Sequence, residues 1–346
     1  MSLSGWHSAV FFLALAGTAG AQETPLRLAL PTANQALLTG HFSEFYQVIE
    51  RNLHGVISHP WEGGRYGFVR DPVPVGGGTV YTRFHEGMDI KPLQRDAAGE
   101  PLDEVRAIAS GKVVYTTTLA GASNYGRYVV VEHRWGGCPY FSLYAHLKTI
   151  AVATGDVVRQ GDKLGVMGHT GSGLDRARAH VHVELNLLLN THFGEWHATF
   201  FKGELNRHGL YNGINLAGLD LPRLFLALRA DPEFTIPKFL GREEVFFKVI
   251  VPNTPNFQLP ARYPWMIAGG APNEKPAAWE VSCTRSGLPV GLTPRAETVS
   301  APQVSFVKAG ATDARYLTRG LVTGRGASAR LTDSGQRYFR LLTFPD

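Results

Sequence analysis

The chain has 346 residues, 44% of them apolar and 18% charged, which suits about two folded domains and excludes wholesale disorder. Lys and Arg outnumber Asp and Glu by only 34 to 29, without a run of like charge, so the composition does not point to nucleic acid. No stretch after residue 21 keeps about 18 apolar residues free of charge, so no stable membrane insertion of the mature chain is expected.

The chain opens with an expected export signal. Residues 1–21 contain no Asp, Glu, Lys or Arg; Ala9 to Ala16 is a short apolar run, and Ala19-Gly20-Ala21 supplies a small-x-small cleavage site before Gln22. The segment departs from the usual pattern in one respect, because Met1–Ser8 carries no Lys or Arg. No Cys follows the cleavage site, so a lipid anchor is not indicated there. The mature chain is thus expected outside the cytoplasm, in the periplasm, the cell envelope or the medium. Cys138 and Cys283 could pair in such an oxidising compartment, but two cysteines do not make a disulfide framework.

Residues 22–75 form a lead-in segment in which Ser43–Leu53 predicts a helix, with Phe45, Val48, Ile49 and Leu53 on one face and Ser43 as its cap. Residues 76–190 are β in character. Val105–Tyr115 predicts two short strands turning at Ser110-Gly111. Arg127–His133 and Tyr140–His146 predict single strands, and Val157–Val166 has a turn at Gln160-Gly161-Asp162. Short strands without long helical periods between them indicate an antiparallel sheet or sandwich. Residues 191–244 are a partly helical connector, its best helix starting at Asp220 with Pro222 in the first turn. Residues 245–346 predict a small β accessory domain, with Val245–Val251, Ala278–Cys283 and Arg337–Phe344 as strands. The expected fold is therefore mainly β: an antiparallel sheet domain with a lead-in, a short helical insert and a C-terminal β accessory domain.

The histidines locate the chemistry. Eight of the 13 lie between residues 85 and 197, and none follows His208. Within that window stand His85-Glu86-Gly87-Met88-Asp89 and His180-Val181-His182. A catalytic zinc takes three protein ligands from His, Asp or Glu and keeps a fourth position open. Ala179–Leu185 alternates polar and apolar residues, so His180 and His182 point to one face of a strand, one able to ligate and the other to stand beside a bound water. Gly87 argues against a helix through His85 and Asp89, which instead converge from a curled loop. A helical His-Glu-x-x-His site is disfavoured as well, since position 89 is Asp.

Taken together, these segments resemble the M23 peptidases, the LytM/lysostaphin-type zinc enzymes that cut peptidoglycan. The resemblance covers roughly Thr82 to Leu187. It runs through His85-x-Gly87-x-Asp89, Val105–Gly111, Tyr144-Ala145-His146-Leu147, Gly155–Asp162, Gly168-His169-Thr170-Gly171 and His180-Val181-His182-Val183-Glu184. It implies one zinc ion per catalytic domain, held by His85, Asp89 and His182, with His146 and His180 flanking the open position as general base or oxyanion stabiliser. Glu184 shares the strand face of His182, where it either orients that ligand or acts as a structural carboxylate. Gly173–Ala179 is longer and more basic than the family's turn, which alters one wall of the groove. Residues 187–244 and the β tail fall outside the pattern.

The implied function is a secreted zinc endopeptidase whose substrate is a peptidoglycan peptide. The alternatives are a non-catalytic relative that binds wall or regulates a hydrolase, and a zinc peptidase acting on proteins. Among the other candidates, His133 and His169 are expected in structural or surface roles, and His192 and His197 at the surface. Tyr144 belongs to the core sooner than to the groove, and Arg176 and Arg178 are expected as solvated loop charges.

Overall fold

The computed structural model describes residues 25–345, so the export signal expected at 1–21 lies outside the described residues. Among them the strands build antiparallel sheets, the largest with seven strands. Its spatial order is Val157–Val158, Gly111–Thr117, Tyr128–Trp135, Cys138–Ala145, Val181–Leu188 and Leu216–Gly218, with Met88–Ile90 paired alongside Val181–Val183. Val and aromatic residues fill these strands, as a buried pleated surface demands.

Val181–Leu188 is the central element and is buried along its whole length. Its odd positions, Val183, Leu185 and Leu187, join the main apolar core. Its even positions, His182, Glu184 and Asn186, form a polar stripe that is also buried. Each such group would cost a few kcal/mol if unpaired; His182 and Asn186 both bond to Glu184 within the stripe, and Asp89 from the neighbouring strand and Tyr125 from a loop add further partners.

Glu104–Arg106, Lys163–Val166 and Thr149–Ile150 form a separate three-stranded sheet. The two strands predicted within 105–115 therefore exist but do not pair with each other, and the same holds for Val157–Val158 and Lys163–Val166. Each turn carries the chain from one sheet to the other, a choice that local sequence does not encode. Gly67–Val75 and Gly78–His85 make a long hairpin that delivers His85 to the edge of the large sheet.

The helix predicted over Ser43–Leu53 is reduced to one turn, Phe42–Phe45, preceded by His41 without a side-chain cap. Tertiary pairing overrides the periodicity. Tyr46 bridges Ile90, the Gln47 amide donates to the Asp89 carbonyl at 2.8 Å, and Arg51–Leu53 is a strand. The helix at Asp220 forms as predicted, Leu221–Ala230, with the Asp220 side chain accepting from the Arg223 amide.

In the tail, Phe247–Pro252 and Ala278–Cys283 are strands of a four-stranded sheet with Pro289–Arg295 and Gln303–Val307. Arg337–Phe344, predicted as a strand, instead lies in the helix Asp333–Thr343. Its start signal lies upstream, where Thr332 accepts from the Gly335 amide. Gly335, Phe339 and Leu342 then bury one face at helical spacing. Apolar residues of this tail are continuous with the core under the large sheet. Asn190 Nδ2 donates to the Leu341 carbonyl at 2.7 Å, and the Leu188 amide donates to the Tyr263 hydroxyl at 3.0 Å. Cys138 and Cys283 are buried thiols in different sheets.

His133 is buried in the large sheet between the Ser110 carbonyl, 2.9 Å from Nδ1, and the Ser142 hydroxyl, 2.7 Å from Nε2. Burial pushes its pKa down to about 4, against the smaller opposing effect of the Ser110 hydrogen bond. The unfolded chain takes up this proton near pH 6.5 and the folded chain only near 4, so stability falls as pH drops through that window. The loss saturates at about 3 kcal/mol. Urea titrations at pH 7 and pH 4 are expected to show a smaller pH effect in His133→Gln by about that amount. An identical pH dependence in both proteins would assign the loss to other groups.

Candidate metal centre and groove

Three strands converge on one point. Gly78–His85 ends in His85, Met88–Ile90 carries Asp89, and Val181–Leu188 carries His182, which is in register with both Asp89 and Ala145. Gly87 permits the approach, because a Cβ there would lie 2.5 Å from the Val183 carbonyl oxygen and 2.9 Å from His182 Cε1. The curled passage predicted for residues 85–89 is thus a strand end, a glycine and a new strand. His180 enters from the segment just before its strand, bridged to Gly168. His146 follows Cys138–Ala145 in a left-handed conformation (φ 63°) that turns its ring toward His180, with centroids 4.7 Å apart.

His85 Nε2, Asp89 Oδ1 and His182 Nδ1 lie 2.9 to 3.1 Å from one another. All three residues are buried and together could hold a metal ion. The outer nitrogens set the tautomers. His85 Nδ1 donates to the Arg65 carbonyl at 2.7 Å, His146 Nδ1 to the Thr170 carbonyl at 2.9 Å, and His180 Nδ1 to the Arg178 carbonyl at 2.7 Å. A carbonyl only accepts, so each of these rings presents a bare Nε2 inward. His182 Nε2 donates to Glu184 Oε1 at 2.7 Å and presents Nδ1 to the cluster. His85 Nε2, Asp89 Oδ1 and His182 Nδ1 thus converge on one point, where a metal ion, or in its absence a proton on His182 Nδ1, holds the three together. Tetrahedral bonds of about 2.0–2.1 Å would place donors about 3.3 Å apart, close to what is seen.

Charge is balanced in the layer behind the donors. Arg70 Nη2 pairs with Asp89 Oδ2 at 2.5 Å, and Arg70 Nε donates to the Gly63 carbonyl at 2.9 Å. Glu184 receives the Tyr125 hydroxyl at 2.7 Å on Oε1 and Asn186 Nδ2 at 2.9 Å on Oε2. Burial would raise Asp89, but His85, His180 and Arg70 hold it well below the usual carboxylate range. Burial likewise opposes Glu184, which the His182 hydrogen bond and charge, then Tyr125 and Asn186, keep low. In the metal-free protein burial alone would lower His182, yet Asp89 and Glu184 outweigh it and hold it up at about 10. His85 is lowered by burial and by Arg70, against Asp89. Burial, reinforced by His180 and His182, pushes His146 well below its ordinary value.

Glu184→Gln is expected to weaken metal binding about 10–100-fold, because an amide cannot hold the His182 tautomer as a carboxylate does. Competition against a chromophoric chelator measures this, with the melting temperature of the metal-free protein as the fold control. Unchanged affinity would leave Glu184 a structural role only.

The cluster lies at the base of a groove of about 700 Å³ bordered by Arg70, Tyr125, Leu174 and Arg178, among others. Arg178 pairs with Asp175, whereas Arg176 turns away to Glu100 at 2.9 Å. His169 also meets Glu100, at 3.3 Å. Tyr144 is fully buried, its hydroxyl accepting from the Ile108 amide at 2.8 Å. His197 is not at the surface as expected but buried, stacked on Phe201 with centroids 5.1 Å apart. His192 remains part-exposed, 3.4 Å from Glu195. Sequence reasoning missed Arg70, Tyr125 and the Arg65 carbonyl. None carries a spacing signal, because each is brought to the cluster by strand pairing or a loop contact.

With this geometry in place, the comparisons with known proteins fall on the same region. The model of peptidase family M23 matches residues 83–192, spanning His85, Asp89, His146, His180 and His182. Lipoprotein NlpD of Yersinia enterocolitica is 34% identical over 77 residues, 22% of this chain and 74% of that protein. Murein hydrolase activator NlpD of Escherichia coli is 35% identical over 82 residues, 23% of this chain and 20% of that protein. The chain spans a third or less of the length of the other curated relatives compared. The catalytic domain of lysostaphin from Staphylococcus simulans aligns over 47% of this chain and 90% of that domain, at 23% identity and a TM-score of 0.27. On the family model and the Yersinia relative, the chain belongs to peptidase family M23.

Proposed function

We propose that the chain is an exported zinc endopeptidase that hydrolyses peptide bonds in peptidoglycan stem or cross-bridge peptides. The observation that carries this reading is the set of inward-facing groups: three candidate metal donors plus two further imidazoles, with an acceptor on the outer nitrogen of each of the four rings. His85, Asp89 and His182 would hold the zinc ion. When bound, zinc supplies Lewis acidity, which lowers the pKa of a coordinated water toward about 7 and polarises a carbonyl.

The chain's own residues supply proton transfer and charge stabilisation. His146, kept neutral by burial, presents Nε2 as a base, its ring centroid 5.9 Å from that of His182. His180, with Nδ1 tied to the Arg178 carbonyl, presents a second Nε2 beside it. One imidazole takes the proton from the attacking water; once charged, it can stabilise the oxyanion or protonate the departing amine. Arg70 and Glu184 hold the donors in place.

A second reading follows from the Escherichia coli relative, a murein hydrolase activator: the chain would regulate a hydrolase without cutting. Retention of the full donor set and of both flanking histidines favours the enzyme. The test is digestion of purified sacculi by the chain from Gln22, with and without a chelator, with fragments read by mass spectrometry. New amine termini that vanish with chelator support the peptidase and name the bond. Intact sacculi with zinc bound to folded protein would favour the regulator or a protein substrate.

A further inference from the structure

A second cavity, of about 310 Å³, opens beside the groove. Phe84 and Arg319 line both spaces, and Phe84 directly precedes the donor His85. The cavity's other walls come from segments remote in sequence: the Leu216–Gly218 strand, Trp196 of the helix Phe193–Phe200, and Arg337 of the helix Asp333–Thr343.

Its chemistry is one-sided. Arg319, Arg337, Ser286 and Ser334 are among the residues that line it, and no Asp or Glu is. Among the described residues, neither arginine pairs with a carboxylate. Arg319 instead lies over the Phe84 ring at 5.4 Å, and Arg337 over the Phe201 ring at 5.7 Å, with Nη2 of Arg337 donating to Ser334 Oγ at 3.3 Å. An aromatic face positions a guanidinium without neutralising it. Arg319 also occupies the left-handed region (φ 55°), which residues other than glycine rarely adopt and which concentrates at functional positions.

We propose that this cavity is a subsite for a peptide carboxylate. It takes the C-terminal carboxylate of a substrate whose cut bond lies at the histidine cluster, held by Arg319 and Arg337, with small aliphatic side chains against Trp196 and Leu216. The planar fork of arginine suits this recognition, and the volume is at the small end of ligand sites, with room for one or two small residues. The inference rests on the peptidase reading and narrows its substrate class to peptides that end in a free carboxylate shortly past the scissile bond. It also gives the C-terminal region a function in selecting substrate, since both arginines come from there.

The test is calorimetric binding of N-acetyl-tetra-alanine, as the free acid and as the C-terminal amide, to the full chain with and without zinc. The acid is expected to bind at least about tenfold more tightly than the amide, as one charge-assisted hydrogen-bonded contact provides. Arg319→Gln and Arg337→Gln are each expected to bring the acid-to-amide affinity ratio close to one. Should Arg337→Gln lower the melting temperature, the exposed Arg319→Gly keeps the question open to measurement, because glycine accepts the left-handed backbone. Equal affinity for acid and amide, binding of neither at millimolar concentration, or equal loss of both in the variants overturns the subsite. Sacculus digestion separates the two readings: cutting without an acid preference removes only the subsite, and an acid preference without cutting removes only the peptidase.

Discussion

Asp89→Ala is expected to lower zinc affinity by about 10²–10³-fold and to abolish measurable hydrolysis. Structural zinc sites bind with about 10–16 kcal/mol over four ligands, so one ligand contributes about 2.5–4 kcal/mol. Asp89 is also the one anionic donor of the three, and its loss leaves Arg70 facing the remaining imidazoles without its carboxylate partner at 2.5 Å. Removing one member of a buried pair costs more than the pair itself contributes, so the melting temperature should fall as well. Metal analysis after dialysis against a weak chelator, alongside sacculus digestion, reads both effects. One equivalent of zinc retained with full hydrolysis would remove Asp89 from the donor set.

His146→Ala and His180→Ala are expected to separate chemistry from metal binding. Neither ring belongs to the three-donor cluster, so zinc stoichiometry should stay at the wild-type value. The rate of hydrolysis should fall about 10²–10⁴-fold in each, the usual contribution of a positioned proton-transfer group. The fall should lie in kcat more than in KM, since the groups act on the reacting atoms. A variant that loses zinc together with activity would be a ligand or a support for one. A variant that keeps both would leave its ring without a place in the reaction. If the double variant is no slower than the worse single one, the two histidines act as one unit.

The candidate chemistry was legible in the chain because its parts are short and local. His180 and His182 share a strand face by the two-residue period alone, and His85-x-Gly87-x-Asp89 requires only that a glycine let two neighbouring strands meet. The helix at Asp220 was readable for the same reason, as its cap and its proline lie within one turn. Where signals were read over the wrong window, the reading failed. Arg337–Phe344 looks like a strand until Thr332 and Gly335 are counted with it, and the apolar stripe of Ser43–Leu53 gives way to pairing of Tyr46 and Gln47 with the strand that carries Asp89.

By itself, then, the sequence determined the antiparallel β character and singled out His85, Asp89 and His182, which the fold brings together as candidate donors, since side-chain chemistry and strand period are properties of neighbours along the chain. Tertiary structure alone decided which groups stand behind those donors and what borders the groove. Arg70 reaches Asp89 through a hairpin, Tyr125 reaches Glu184 from a loop, and Arg319 comes to the same groove from more than two hundred residues downstream of His85. Such contacts follow from strand register and from the packing of a shared core, both of which are settled by the lowest free energy of the whole chain, and no local pattern encodes them.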